Sequence, residues 1–243
     1  MHPRHNITEA ITGITPFPEP ETVFSPEQPW LAKHFLPLVS IDLGLLRGEL
    51  AGTVVHIVNP FEPYEGVIGG YTAAHHNPHI GAGWLAFHLD EHNRYRLPTD
   101  EGYFLFDNAY HQPDAQTARY AAEEFTQSRA DYQECKARFQ ATGKLQPPNY
   151  SGTHSFIEQL GGAIWYGNWT DGLTAPAAYA LDFDESITDD NDPNGNIRIS
   201  RDGKPFFQAA AVPAYHYGCN GADWLILFYE PASRAALIMQ EWT

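Results

Sequence analysis

The chain has 243 residues, of which 43% are apolar and 14% aromatic, and this apolar content argues against global disorder because it can offset the entropy of the chain. The 30 acidic residues against 14 basic ones give a formal net charge of −16, which argues against nonspecific nucleic-acid binding, since that mode needs clustered Lys and Arg. The same charge disfavours binding to anionic membranes and favours the approach of a basic protein.

The sequence predicts a soluble, cytoplasmic protein. Its N-terminal segment lacks the continuous apolar stretch of a signal peptide, and no apolar run reaches the roughly 20 residues that span a bilayer. The two cysteines, Cys135 and Cys219, are too few for a disulfide framework, so we expect both to be reduced thiols.

The first part of the chain is predicted to contain three short strands. Residues 1–30 are rich in proline and are expected to form an extended lead-in on the surface. Residues 52–61 are typical of a strand because they are rich in β-branched side chains and the run ends at Asn59-Pro60. Two further apolar runs, at 84–89 and 102–108, are predicted to be strands joined by a polar loop.

The longest predicted element is a helix over Asp114–Thr142. Pro113-Asp114 suits its start, and Gly143 suits a left-handed C-terminal cap. Two adjacent stripes at helical spacing mark its buried side: Ala118, Phe125, Tyr132 and Phe139, and beside them Ala121, Ser128 and Cys135. The pattern therefore predicts that the Cys135 thiol is buried and structural rather than reactive.

The last hundred residues are predicted to be mostly β. Asp202-Gly203 marks a hairpin, 225–229 is a continuous apolar strand, and 236–242 is a closing strand. The predicted fold class is therefore α+β, mostly antiparallel sheet with one long helix (about 114–142) packed on a sheet face. We expect a single composite domain over 1–243, with an α/β half at 31–145 and a β-rich half at 150–243, because the joint between the halves is short and contains two prolines.

The densest charge lies at residues 182–192, where six carboxylates fall within eleven residues and no basic residue interrupts them. So much like charge needs a cationic partner, a metal ion or solvation to offset it. The favoured interpretation is a surface for a cationic protein, anchored by exposed aromatic side chains. The residues of this predicted surface are Asp182, Asp184, Glu185, Asp189, Asp190 and Asp192.

The same segment also matches the first half of an EF-hand loop. Asp190, Asp192 and Asn194 stand at the first three ligand positions, and a glycine follows them. The second half does not match, because Arg201 occupies the place of the bidentate Glu. We expect no cofactor, and the alternative is a calcium site formed by Asp190, Asp192, Asn194 and Asn196.

Histidines crowd the stretch from His75 to His92. Neutral imidazoles bind zinc, so a metal-dependent hydrolase that uses this cluster or the Asp190 loop is an alternative function. No H-E-x-x-H motif is present, and His88 falls in a predicted strand, where it and His92 would share a face without converging on one ion. A polar loop with titrating histidines is therefore favoured.

Two stretches resemble a known family. Residues 156–169, FIEQLGGAIWYGNW, are similar to the LGG-x-P-x-W turn of YwqG-like proteins, a bacterial family of unknown function. Residues 218–242 resemble the C-terminal end of that family and of related polymorphic-toxin immunity proteins. The resemblance is confined to the C-terminal half, and it implies an immunity-type protein without supplying any catalytic residue.

The sequence favours a binding protein over an enzyme. It contains no G-x-S-x-G, Walker A or G-x-G-x-x-G motif. The leading hypothesis is a non-enzymatic, cytoplasmic immunity protein that neutralises a basic toxin domain by occlusion, with neither nucleic acid nor membrane as a partner. The alternatives are the metal-dependent hydrolase and a housekeeping domain whose acidity serves solubility alone.

Overall fold

The computed structural model describes residues 3–9, 11–62, 67–107, 113–171, 173–189 and 192–242. Within these ranges lie three α-helices: α1 Pro20–Val23, α2 Leu31–His34 and α3 Ala115–Thr142. The same ranges contain the strands β1 Arg4–Ile7, β2 Ile14–Pro16, β3 Phe35–Asp42, β4 Val54–Pro60, β5 Leu85–Leu89, β6 Tyr95–Arg96, β7 Ile157–Leu160, β8 Tyr179–Phe183, β9 Ile197–Arg201, β10 Lys204–Pro205, β11 Phe207–Val212, β12 Trp224–Glu230 and β13 Ala235–Glu241. The predicted class, α+β with mostly antiparallel sheet and one long helix, is confirmed.

Seven strands form one antiparallel sheet in the order β1-β7-β11-β12-β13-β5-β6. Its centre is the predicted pair of C-terminal strands, which run from Trp224 opposite Glu241 to Glu230 opposite Ala235. The sequence of β12 is continuously apolar because both of its faces are covered: Leu227 packs in one core and Phe228 in the other. Strands from both sides of the joint at 145–152 share this sheet, and the number of domains stays a prediction.

Each face of the large sheet carries a smaller sheet. On the side of Leu227 lies the three-stranded sheet β2-β3-β4, whose apolar side chains share that core. On the side of Phe228 lies the three-stranded sheet β10-β9-β8, with β8 at its edge. The predicted hairpin joins β9 to β10, and its turn residues Asp202 and Gly203 both have positive φ, as a tight two-residue turn requires.

Helix α3 begins and ends at the predicted signals. The Asp114 carboxylate accepts the N–H groups of Gln116 and Thr117 at 2.9 and 3.0 Å, and Gly143 adopts a left-handed φ of 70°. The predicted stripes are largely buried, with Ala121, Ser128, Tyr132 and Cys135 inside and Phe125 and Phe139 half-buried. Burial raises the pKa of the Cys135 thiol to about 12, which suits the structural role predicted for it.

Residues 102–107 do not form the predicted strand. They form two short 3-10 turns, Glu101–Tyr103 and Leu105–Asp107, and residue 108 lies outside the described ranges. In a strand, the backbone N–H groups of these residues would pair with a neighbouring strand. Here two of them donate to a side chain instead. The Glu62 carboxylate accepts the N–H groups of Leu105 at 2.7 Å and of Phe106 at 3.0 Å.

The N-terminal residues are not a surface lead-in. In the described part of 1–30, β1 pairs with β7 at the edge of the large sheet, and β2 pairs with β3. Phe17 is buried, with its ring centroid 5.2 Å from that of Tyr132 and 5.0 Å from that of Tyr217. The prolines bound the short elements instead of extending the chain, and Pro20 occupies the first turn of α1. Among the described helices, none combines the length and apolar character that crossing a membrane requires.

Candidate functional site

Two exposed aromatic rings meet at the edge of the sheet that contains β8. Tyr166 is 49% exposed and Phe183 is 47% exposed, and their ring centroids are 5.8 Å apart. We call these two residues the aromatic pair. Because much of their apolar area remains in water, it is available for burial against a partner.

The alternation of β8 explains why Phe183 is exposed. Tyr179, Leu181 and Phe183 lie on the same face of the strand, since successive side chains alternate. Tyr179 is buried in the core, Leu181 is half-buried, and Phe183 extends past the end of the core. The aromatic pair therefore continues the apolar face of β8 onto the surface.

Asn196 holds the backbone at Tyr166 and at Asp184, the residue after Phe183. Its side-chain oxygen accepts the N–H of Tyr166 at 2.7 Å, and its carbonyl oxygen accepts the N–H of Asp184 at 2.9 Å. The preceding Gly195 forms a β-bridge with Ile164, with a φ of +66°. A Cβ at residue 195 would lie 2.1 Å from the Ile164 carbonyl oxygen, so this close approach requires glycine.

The predicted acidic residues lie on β8 and on the loop that follows it. Asp182, Glu185 and Asp189 are exposed, Asp184 and Asp192 are half-buried, and Asp190 lies outside the described residues. We call the five described carboxylates the acidic surface. They follow one another along the end of β8 and the loop to β9, and two of them, Asp182 and Asp184, are the chain neighbours of Phe183.

Local hydrogen bonds keep part of this surface ionised. Asp184 Oδ1 accepts the Ser186 hydroxyl and the Ser186 N–H, and these bonds lower the pKa of the Asp184 carboxyl. The side-chain oxygen of Asp192 accepts both the N–H and the amide of Asn194, at 2.8 and 2.9 Å. Arg198 lies 3.7 Å from Asp182, but both side chains are exposed, so this pair offsets little of the charge.

Two of the predicted calcium ligands, Asn194 and Asn196, take part in hydrogen bonds within the protein. Both oxygens of Asn196 accept N–H groups from Tyr166 and Asp184, and the Asn194 amide donates to Asp192. Within the described ranges, no group of three or more His, Cys, Asp or Glu side chains is arranged to hold a metal ion. The alternative also depends on Asp190, which lies outside those ranges, and it stays a prediction.

Four of the five clustered histidines have separate nitrogen partners, whereas His79 Nδ1 has no hydrogen-bond partner within the described ranges and its ring centroid lies 6.1 Å from that of His88. The nitrogen contacts are His75 with Asp100 at 2.7 Å, His76 with the Gly69 carbonyl at 2.8 Å, His88 with Arg201 at 3.2 Å and His92 with Glu91 at 3.4 Å. Burial, followed by the Arg201 charge, lowers the pKa of His88 and of the nearby His79. A guanidinium this close to the His88 ring would also repel a metal cation.

A buried serine–histidine pair lies elsewhere, on β3 and β4, and the sequence patterns did not reveal it. Ser40 and His56 are directly opposite in register, and the Ser40 Oγ is 2.7 Å from His56 Nδ1. The other ring nitrogen donates to the Asn93 carbonyl at 3.0 Å. Burial lowers the pKa of His56 to about 4, which makes it a weak base at neutral pH. The pair therefore serves to satisfy two buried polar side chains within the sheet.

Comparisons with protein-family models, curated proteins and solved structures found no match to this chain. The function must therefore be argued from the geometry of its own surfaces.

Proposed function

We propose that the protein is a non-enzymatic binding protein whose acidic surface receives a cationic protein, with Tyr166 and Phe183 as the anchor. The observation that carries this proposal is the contact between two half-exposed rings, one of which, Phe183, has the carboxylates Asp182 and Asp184 as its chain neighbours. Aromatic side chains dominate the binding energy of many interfaces because they bury a large area at a small entropic cost. The carboxylates add long-range attraction, which raises the association rate of a basic partner.

The edge of the sheet supports the same proposal. β8 pairs with β9 on one side and ends the three-stranded sheet on the other. An edge strand presents backbone N–H and C=O groups that an extended segment of a partner can pair with. Asp182 and Phe183 lie on this strand, so charge, an aromatic ring and backbone groups are offered together.

We further propose a cytoplasmic immunity protein that occludes a basic toxin domain. This narrower assignment is supported by the resemblance of residues 156–169 and 218–242 to YwqG-like and immunity-type proteins. Tyr166 belongs to the first of these stretches, so the resemblance and the aromatic pair coincide in one turn. Occlusion needs no catalytic group, only an interface that covers the active cleft of the toxin.

The test measures binding to a basic protein domain, chosen from the products of neighbouring genes and produced in inactive form. Phe183→Ser should weaken the affinity about tenfold or more, mainly through faster dissociation. Asp182→Asn with Glu185→Gln should instead slow association, most strongly at low salt, where charges act over a Debye length of about 10 Å or more. Tyr120→Ser is the matched control, because Tyr120 is also an exposed aromatic residue but lies on α3.

A basic partner that binds the Phe183→Ser variant as tightly as the Tyr120→Ser variant would contradict the proposed anchor. An association rate that changes neither with salt concentration nor with the charge substitutions would contradict the role of the acidic surface.

A further inference from the structure

A separate cleft of about 290 Å³ lies where helix α3 meets the ends of β4 and β13. It shares no residue with the acidic surface or the aromatic pair. Its lining includes three aromatic rings, two carboxylates and an amide, those of Phe61, Phe125, Trp242, Glu62, Glu124 and Gln240. Carboxylates framed by aromatic rings favour a positively charged, partly apolar ligand.

Gln240 is the observation that identifies the cleft as a binding site. The residue is only 9% exposed and lines the cleft, yet its side-chain amide makes no hydrogen bond within the described part of the chain. Because the residue lines the cleft, solvent reaches its amide there, and a ligand atom can take the place of that solvent.

A second buried acceptor lies behind the cleft wall. Asn59 is fully buried, and its Oδ1 has no hydrogen-bond partner within the described ranges. This oxygen faces Gly221, a residue of the lining, where an added Cβ would lie 2.9 Å away. Asn59 does not line the cleft, so this oxygen belongs to the wall of the cleft and is not offered to a ligand.

The charged groups of the cleft are held in place by the fold. Glu62 accepts the N–H groups of Leu105 and Phe106, and Glu124 accepts the Asn220 amide through one oxygen at 3.2 Å. Phe61 already carries a cation on its ring, since the Arg129 guanidinium carbon is 4.5 Å from the ring centroid. One face of the Phe61 ring is therefore occupied by a guanidinium of the protein itself, which leaves Phe125 and Trp242 to receive the stem of a ligand.

We propose that the cleft binds a primary ammonium or guanidinium group on an alkyl stem. The cation would pair with Glu124 beside the Glu62 charge and donate to the Gln240 amide oxygen, while the stem packs against Phe125 and Trp242. The same chemistry is offered by a free alkylamine and by a Lys or Arg side chain of another protein. The inference does not rest on the acidic surface, so either proposal can fail while the other stands.

The test is a titration of the full chain, followed by NMR at the Gln240 side-chain amide. The probes are cadaverine and agmatine as free amines, the N-acetyl N-methylamides of lysine and arginine as capped side chains, and 1-pentanol as a neutral stem. At least one cationic probe should shift the Gln240 amide resonance at millimolar concentration, and 1-pentanol should not. Glu124→Gln should weaken this binding about tenfold, in the range of a lost charge-assisted hydrogen bond.

Glu123→Gln is the matched control, because Glu123 is the adjacent exposed carboxylate of α3 but does not line the cleft. Capped residues that bind as tightly as the free amines would identify a protein side chain as the ligand, whereas binding of the free amines alone would identify a small molecule. Either result supports the site. The proposal is overturned if no cationic probe shifts the Gln240 amide, if 1-pentanol shifts it equally, or if Glu123→Gln weakens binding as much as Glu124→Gln.

Discussion

The ring of Tyr166 packs against the ring of Phe183, 5.8 Å between centroids, although each side chain remains about half exposed. The hydrophobic effect scales with the apolar area removed from water, so a contact this accessible contributes little to the stability of the isolated protein. The same accessible area becomes favourable when a partner covers it. Stability and recognition should therefore respond differently to substitutions at these two residues.

Phe183→Ser should lower the free energy of unfolding by only about 1 kcal/mol, because about half of the side chain is already in water. Phe228→Ser, in the fully buried core beneath β8 and β9, should cost about 3 kcal/mol or more. Urea denaturation of the two variants measures both values. Equal losses would show that Phe183 belongs to the core and not to a recognition surface.

Gly195→Ala should destabilise the protein much more than Gly203→Ala. Both glycines have left-handed φ values, +66° and +74°, so both substitutions carry the backbone cost of about 1 kcal/mol. Only at residue 195 would the new Cβ meet backbone, 2.1 Å from the Ile164 oxygen, whereas nothing lies within 4 Å at residue 203. Thermal unfolding should give the larger loss for Gly195→Ala, and similar melting temperatures would contradict the bridge that positions Tyr166.

Asp192→Asn should leave the stability nearly unchanged, and Asp192→Ala should lower it by about 1 kcal/mol. The reason is that the Asp192 side-chain oxygen accepts the Asn194 N–H at 2.8 Å, and an Asn side chain retains such an oxygen while Ala does not. Relief of repulsion among the carboxylates of the acidic surface should offset part of any stability that Asp192→Asn loses. Urea denaturation of both variants shows which one is less stable. A large loss of stability in Asp192→Asn would mean that the charge itself is needed within the fold.

The His56 imidazole should make the protein less stable in mild acid. Burial lowers its pKa from 6.5 to about 4, so the unfolded chain takes up a proton at a higher pH than the folded protein does. His56 contributes no penalty above pH 6.5, and the free energy of unfolding falls as the pH drops from 6.5 towards 4, by on the order of 3 kcal/mol.

His56→Gln should flatten this part of the pH profile, whatever it does to stability at pH 7. The control is His92→Gln, which removes a histidine whose side chain is exposed. Urea denaturation at several pH values between 4 and 7 measures both slopes. A wild-type slope that persists in the His56→Gln variant would assign the acid sensitivity to other groups.

Local sequence patterns were sufficient for the elements whose signals are contained in a few neighbouring residues. The seven-residue spacing, Asp114 and Gly143 predicted α3 to within one residue, because helical hydrogen bonds and caps join residues close in sequence. Asp202-Gly203 predicted its hairpin for the same reason. The acidity of residues 182–192 was also evident, since charge is a property of composition.

Only the tertiary structure decided which residues meet. Residues 102–107 have the apolar content of a strand, but the Glu62 carboxylate, about 40 residues away, takes the N–H groups of Leu105 and Phe106. Ser40 faces His56 because of strand register, and Tyr166 reaches Phe183 because Asn196 holds the intervening turns together. Such contacts depend on the pairing of distant segments, which the sequence near each residue does not encode. The composition of the acidic surface was therefore predictable, whereas the contact between Tyr166 and Phe183 was not.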